Sequence, residues 1–121
     1  MAAQLIAAHA NDLAGTHIVN VRHAGAVPGI AADWVLELPA TVRRHAITPL
    51  SAPPLPAFAF GLLAALRAYE LLTIQAAVTG DRDAAYQSLI AHPLGPHLVQ
   101  AEAVLEDMLE TNRAYCRHFF A

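Results

Sequence analysis

The stretch from Leu55 to Pro93, LPAFAFGLLAALRAYELLTIQAAVTGDRDAAYQSLIAHP, constrains the fold more than any other part of the chain. Between Phe58 and Val78 the residues Leu62, Leu63, Leu66, Tyr69, Leu72, Ile74 and Val78 recur at helical spacing, and the alanines between them widen the stripe nearly all the way round. A helix of that kind has little to offer water, so it is expected to be buried, with everything else packed on it. Gly80 stands where a left-handed residue closes a helix, and Asp81 where a carboxylate accepts the free N–H groups of a second helix beginning at Arg82-Asp83. Pro93 stops that second helix, because its ring carries no N–H and clashes with the preceding turn. The centre of the chain is therefore read as two consecutive helices joined at Thr79-Gly80-Asp81.

The flanks follow from simpler signals. Ala2 to Leu13 reads as an amphipathic helix ended by Ala14-Gly15. Thr16 to Val21 is β-branched and apolar enough for a buried strand, and Gly25 and Pro28-Gly29 mark a loop after it. Trp34 to Val42 alternates as a second strand, with Ala46 to Leu50 as its short partner across the turn Arg43-Arg44-His45. Ser51 to Pro56 is a stiff connector, since each proline fixes its own φ and biases the residue before it away from helix. Pro96 suits a first helical turn, and His97 to about His118 forms a last long helix. Leu98, Ala101, Val104 or Leu105, Met108, Leu109 and Tyr115 lie on one side of it, and Glu102, Glu106, Glu110 and Arg113 on another. The fold class is α+β, a small antiparallel sheet or hairpin packed on three to four helices.

A length of 121 residues suits one domain, 1–121. Hydrophobic residues make up 56% and charged residues only 14%, so part of the apolar surface is expected to meet a partner. The expected assembly is at least a dimer through the apolar helices. Seven basic residues are scattered without aromatic interleaving under a net charge of −3, which argues against nucleic acid. The apolar run from Ala57 to Leu66 is about half of what a membrane helix needs, and Arg67 and Glu70 follow it, so no membrane segment is expected. Cys116 is the single cysteine and cannot form an internal disulfide. The N-terminus has neither a basic n-region nor a long apolar run, and the expected location is the cytoplasm.

Few residues carry an obvious chemistry. The seven histidines fall in no HExxH or HxH pattern and are read as scattered surface or loop residues, with no metal. Cys116, beside Arg117 and His118, lacks the base and orienting group of a nucleophile and is read as an ordinary helix cysteine. Glu70 follows Arg67 by three positions on the helix expected to be buried, where an unpaired carboxylate would be costly, so a structural ion pair is expected, with Arg67 or with a partner from another segment. A catalytic Glu70 would need a second acid across a cleft, and the sequence offers no clear mate. Glu102, Glu106 and Glu110 are read as a solvated face. A helix-turn-helix built on Thr79-Gly80-Asp81 would need a basic second helix, and Arg82 to Gln87 holds one cation.

Five segments carry a resemblance: Gly61-Leu62, Arg67 to Thr73, Ala76 to Asp81, Ala84-Ala85 and Ala91-His92-Pro93-Leu94. Together they resemble the C-terminal part of family 4 glycoside hydrolases, the NAD- and manganese-dependent glycosidases, and most closely the 6-phospho-β-glucosidase branch. The fold it implies is the lactate/malate dehydrogenase C-terminal-like one. In that family a strand leads into Asn-x-Gly-(Ala)-Ile-Pro-Asn-Leu-Pro and a second strand ends in Glu-x-Pro. Here the frame stands as His23-Ala24-Gly25-Ala26-Val27-Pro28-Gly29-Ile30-Ala31 and Val35-Leu36-Glu37-Leu38-Pro39, with two asparagine positions changed, one of them to His23. The resemblance implies that Arg22, His23 and Gly25 border the substrate pocket.

The family reaction oxidises the sugar C3 hydroxyl with NAD, removes the C2 proton, eliminates the aglycone, adds water and reduces again. It needs a Gly-rich phosphate loop after a strand, and a cysteine and a histidine for manganese. Neither motif stands in this chain. The expected function is therefore that of the C-terminal, substrate-side and oligomerisation domain of a 6-phospho-β-glucosidase, without its NAD-binding domain and inactive by itself. NAD and Mn2+ belong to the full-length family, and a separate NAD-binding domain is the implied partner besides a second copy. The competing reading is a stand-alone helical dimerisation or scaffold module.

Overall fold

A computed structural model describes residues 2–120 of the chain. They fall into two compact units, Met1–Leu55 and Pro56–Ala121.

The first unit contains α1 (Ala2–Asn11), β1 (Gly15–Arg22), β2 (Val35–Val42) and β3 (Ile47–Pro49). The strands form one antiparallel sheet in the order β1-β2-β3, with Gly15 opposite Val42, Arg22 opposite Val35, and Ala40 opposite Pro49. β1 is not buried on both faces. It alternates half-buried and exposed residues, and Ile18 is 63% exposed, because an antiparallel sheet with one covered face leaves every second side chain in water. The helix before it stops at Asn11, earlier than its apolar pattern suggests. Asp12 and Ala14, both with positive φ, make the reversal, and Gly15 already belongs to the strand. The expected turn at Arg43-Arg44-His45 is closed by the Arg43 N–H donating to the Ala46 carbonyl at 2.8 Å. Arg44 also donates its backbone N–H to Asp12 Oδ1 at 3.1 Å and its guanidinium to the Ala10 carbonyl, so the turn caps the C-terminal end of α1. Ala8, Val27, Ile30, Leu36, Ala40 and Val42 form the buried apolar residues of this unit.

The second unit holds α2 (Ala57–Thr79), α3 (Arg82–Ala91), α4 (Leu98–Thr111) and a 3-10 turn at Arg117–Phe120. The joint between α2 and α3 is built as its residues require. Gly80 sits at φ 75° and donates its N–H to the Ala76 carbonyl at 2.9 Å, while Asp81 accepts the Ala84 N–H at 3.0 Å. The last helix ends at Thr111 instead of His118. Asn112 directs both its backbone N–H and its side-chain amide at the Met108 carbonyl, and the chain turns back so that Cys116, Phe119 and Phe120 pack on the core of Ala76, Ala84, Ala85, Leu105 and Leu109. Cys116 therefore lies in this returning segment and not in a helix. Ala101, Leu105 and Leu109 form the buried stripe of α4 at i, i+4, i+8. Leu98 and Tyr115 are 63% and 88% exposed, the first at the open end of the helix and the second past its last turn.

The largest departure concerns α2. It is not buried: among its 23 residues only Ala76 is, and Phe58 and Val78 are 82% and 77% exposed. A helix apolar all round needs neighbours all round, and within its unit α3 supplies one side. Phe60, Ala64, Arg67, Leu71, Ile74 and Val78 are spaced alternately by four and three residues, which is the period of a helix-pairing seam. Of these, Phe60, Leu71, Ile74 and Val78 are between 40% and 77% exposed. By length and composition alone α2 is also sufficient to cross a membrane, which the run from Ala57 to Leu66 by itself is not. Arg67 near its middle would cost about 2.5–3.5 kcal/mol at a bilayer centre.

Candidate substrate-edge loop

The twelve positions 23–34 connect β1 to β2. They extend the ladder for two more bonds, His23 N–H to the Trp34 carbonyl at 3.0 Å and Ala24 N–H to the Ala32 carbonyl at 3.1 Å, and then leave it. Ala24, Gly25 and Gly29 have positive φ values of 49°, 91° and 83°. For an alanine that conformation costs about 1–2 kcal/mol, so the rest of the loop must hold it in place. The Ala52 N–H donates to the Ala26 carbonyl at 2.9 Å and ties the loop to the proline-rich connector.

His23 occupies the centre of this loop and is fully buried. Its Nε2 lies 2.7 Å from the Ala31 carbonyl, and its Nδ1 accepts the N–H groups of Gly25 at 3.2 Å and Val27 at 3.3 Å. The three residues expected at the pocket edge are placed differently. Arg22, at the end of β1, and Gly25 are exposed, whereas the imidazole has no surface to offer and serves the loop itself. Sequence spacing did contain a signal for this, a polar ring followed two and four positions later by small residues with free N–H groups. It is weak because histidine is not the usual residue for such a turn.

The residues expected to be structural separate in the same way. Gly80 and Asp81 form the joint described above, where Asp81 also accepts the Gln75 side-chain amide at 2.9 Å. The Ala84 N–H, and after it the Gln75 amide, hold the Asp81 carboxyl below the usual carboxylate range. Glu70 is exposed and Arg67 half-buried. Arg82 reaches across from α3 to Glu106 on α4, and Arg113 meets Glu110 at 3.2 Å and lies 4.0 Å over the Phe120 ring. Two of the three glutamates read as a solvated row therefore have cationic partners.

Among the described residues no three His, Cys, Asp or Glu side chains gather as a ligand group. Gly25 and Gly29 lead into a strand, so no helix N-terminus follows them to receive a pyrophosphate.

The profile of the family 4 glycosyl hydrolase C-terminal domain matches residues 1–95. The chain belongs to this family. It is 38% identical over 116 residues to the 6-phospho-beta-glucosidase BglT of Thermotoga maritima, covering 96% of this chain and 28% of that one. A probable 6-phospho-beta-glucosidase of Bacillus subtilis is 31% identical over 119 residues, covering 98% and 27%. The structure of the 6-phospho-beta glucosidase from Thermotoga maritima with manganese, NAD+ and glucose-6-phosphate superposes with a TM-score of 0.83, over 94% of this chain and 28% of that one. The family 4 domain described here thus spans little more than a quarter of the relatives it matches, and its match crosses both compact units. The α+β architecture, four helices with a three-stranded antiparallel sheet, is that of family 4 C-terminal domains.

Proposed function

We propose that this chain is the C-terminal, substrate-side and oligomerisation part of a 6-phospho-β-glucosidase, which hydrolyses the O-glycosidic bond of 6-phospho-β-glucosides. The observation that carries the reading is 38% identity over 96% of the chain to a 6-phospho-beta-glucosidase. In this reading NAD and Mn2+ are held by a separate NAD-binding domain, and the 121 residues alone do not turn over substrate. Their contribution is positional. The loop 23–34, with Arg22 and Gly25 outward, borders the sugar pocket, and the exposed side of α2 meets a second copy. The location is the cytoplasm, in keeping with a lone Cys116 that has no disulfide partner. The α2 seam by itself also favours a second reading, a helical dimerisation or scaffold module without catalysis.

A chimera separates the two. The part of the Thermotoga maritima enzyme that precedes its matched segment is joined to this chain and assayed with a chromogenic β-glucoside 6-phosphate, NAD, Mn2+ and reductant. Hydrolysis by the chimera and none by the 121 residues is expected. A chimera that is folded and binds NAD yet leaves the 6-phospho-β-glucoside intact would overturn the enzymatic reading and leave the scaffold.

A further inference from the structure

The partners of the His23 ring have fixed polarity. A carbonyl oxygen only accepts, so Nε2 must carry the proton toward Ala31, and amide groups only donate, so Nδ1 must be bare toward Gly25 and Val27. One protonation state out of three satisfies all of these contacts, the neutral Nε2–H tautomer. We propose that His23 is an acid-sensitive clasp: the neutral ring closes the 23–34 loop, and a proton added at Nδ1 releases it.

The reasoning rests on geometry. A second ring N–H would point at two amide N–H groups from a ring that is itself fully buried, and none of these three donors can accept from another. Turning the ring over does not help, because it would place Cδ2 toward the two amides and Cε1 toward the Ala31 carbonyl. All three partners of the ring are main-chain groups. The charged residues of the flanking segments are Arg22, Asp33 and Glu37, and all three are exposed, so none is placed in the buried site to hold an added proton. Ala24, at φ 49°, gives the loop strain to relieve once the clasp opens. Release would free the Gly25 and Val27 amides and loosen the contact from Ala26 to Ala52. The proposal concerns the loop alone and stands apart from the enzymatic reading.

Long-range proton–nitrogen correlation of the histidine rings, on the intact chain, reads the tautomer directly. One ring is expected to show the neutral Nε2–H pattern. On acidification the exchange of the Gly25 and Val27 amides should rise about 10-fold or more over the pH interval in which that ring charges, while the β1 amides of Val19 and Val21 stay protected. His23→Asn supplies an acceptor near the Nδ1 position, as in an Asx turn, and cannot titrate, so it should keep the Gly25 amide protected and abolish the acid response. His23→Phe fills the space without an acceptor and should expose both amides at every pH. An Nδ1–H ring, a ring that charges while both amides stay protected, or an acid response that survives in His23→Asn would each overturn the proposal. The His23→Asn outcome decides it even if His23→Phe does not fold.

Discussion

Replacing Gly80 by alanine tests the joint on which the second unit depends. Two costs coincide there. At φ 75° an L side chain is strained by about 1–2 kcal/mol, less about 0.4–1 kcal/mol regained because the unfolded alanine chain has less freedom to lose. A Cβ at this site would also run into the His118 carbonyl, 2.9 Å from its carbon, so the 3-10 turn that carries Phe119 and Phe120 onto the core must shift. Overpacking of that kind typically costs about 1–3 kcal/mol. The sum is about 2–4 kcal/mol. For a unit of this size total stability is on the order of 3–10 kcal/mol, so a large share should be lost, and Tm should fall by roughly 10 °C or more. Gly25 supplies the control, because its φ is also positive, at 91°, but nothing lies within 4 Å of an added Cβ. Gly25→Ala should therefore cost only about 1 kcal/mol or less. Urea unfolding followed by the helical far-ultraviolet signal and by tryptophan emission from Trp34 reads the two units separately. Equal losses for the two variants, within about 0.5 kcal/mol, would refute the close approach of His118 to the turn.

Leu105, buried between α3 and α4, should lose about 2–5 kcal/mol on truncation to alanine, measured by the same unfolding. Asp81 predicts a pH dependence. Its folded carboxyl titrates below its unfolded value, so the stability it adds is fully present above the ordinary carboxylate range and is lost as pH falls through the lowered folded value. Asp81→Asn keeps a capping oxygen but no charge, so its thermal midpoint should trail the parent at neutral pH and converge with it in acid; a gap that persists at low pH would contradict this. Leu71→Glu with Ile74→Glu places two charges on the exposed side of α2 and should shift sedimentation toward the monomer without lowering Tm, since neither residue is buried in its own unit.

What the sequence made legible was whatever depends on neighbours a few positions away. The Gly80 and Asp81 joint, the turn at Arg43 to His45 and the stop before Pro93 are fixed by backbone sterics and local hydrogen bonds, and all three stand in the structure. The failures share a different cause. Burial of α2 and the continuation of the last helix through Cys116 were inferred from apolar content, which says that surface must be covered but not by what. Asn112 ended the last helix with a cap that periodicity does not weigh. The candidate loop was placed correctly between two strands, yet the orientation of His23 depended on amide groups whose directions only the folded turn defines.

The uncovered side of α2 then sets how strong any self-association through it can be. Phe60, Leu71, Ile74 and Val78 retain between 40% and 77% of their exposure, so covering them completely adds about half of the 1.5–3 kcal/mol that each full burial is worth. That comes to about 4 kcal/mol per copy and about 8 kcal/mol for a pair. Association costs about 4–15 kcal/mol in lost translational and rotational freedom. Arg67 falls within the same seam, and two copies would bring like charges together across it. Helix pairing along α2 therefore roughly breaks even, which predicts a concentration-dependent dimer and not a permanent one. A lasting assembly must draw on further surface, and the exposed Phe58 and Leu62 near the start of the same helix extend the apolar area available to it. On this arithmetic α2 acting alone would hold a second copy only weakly.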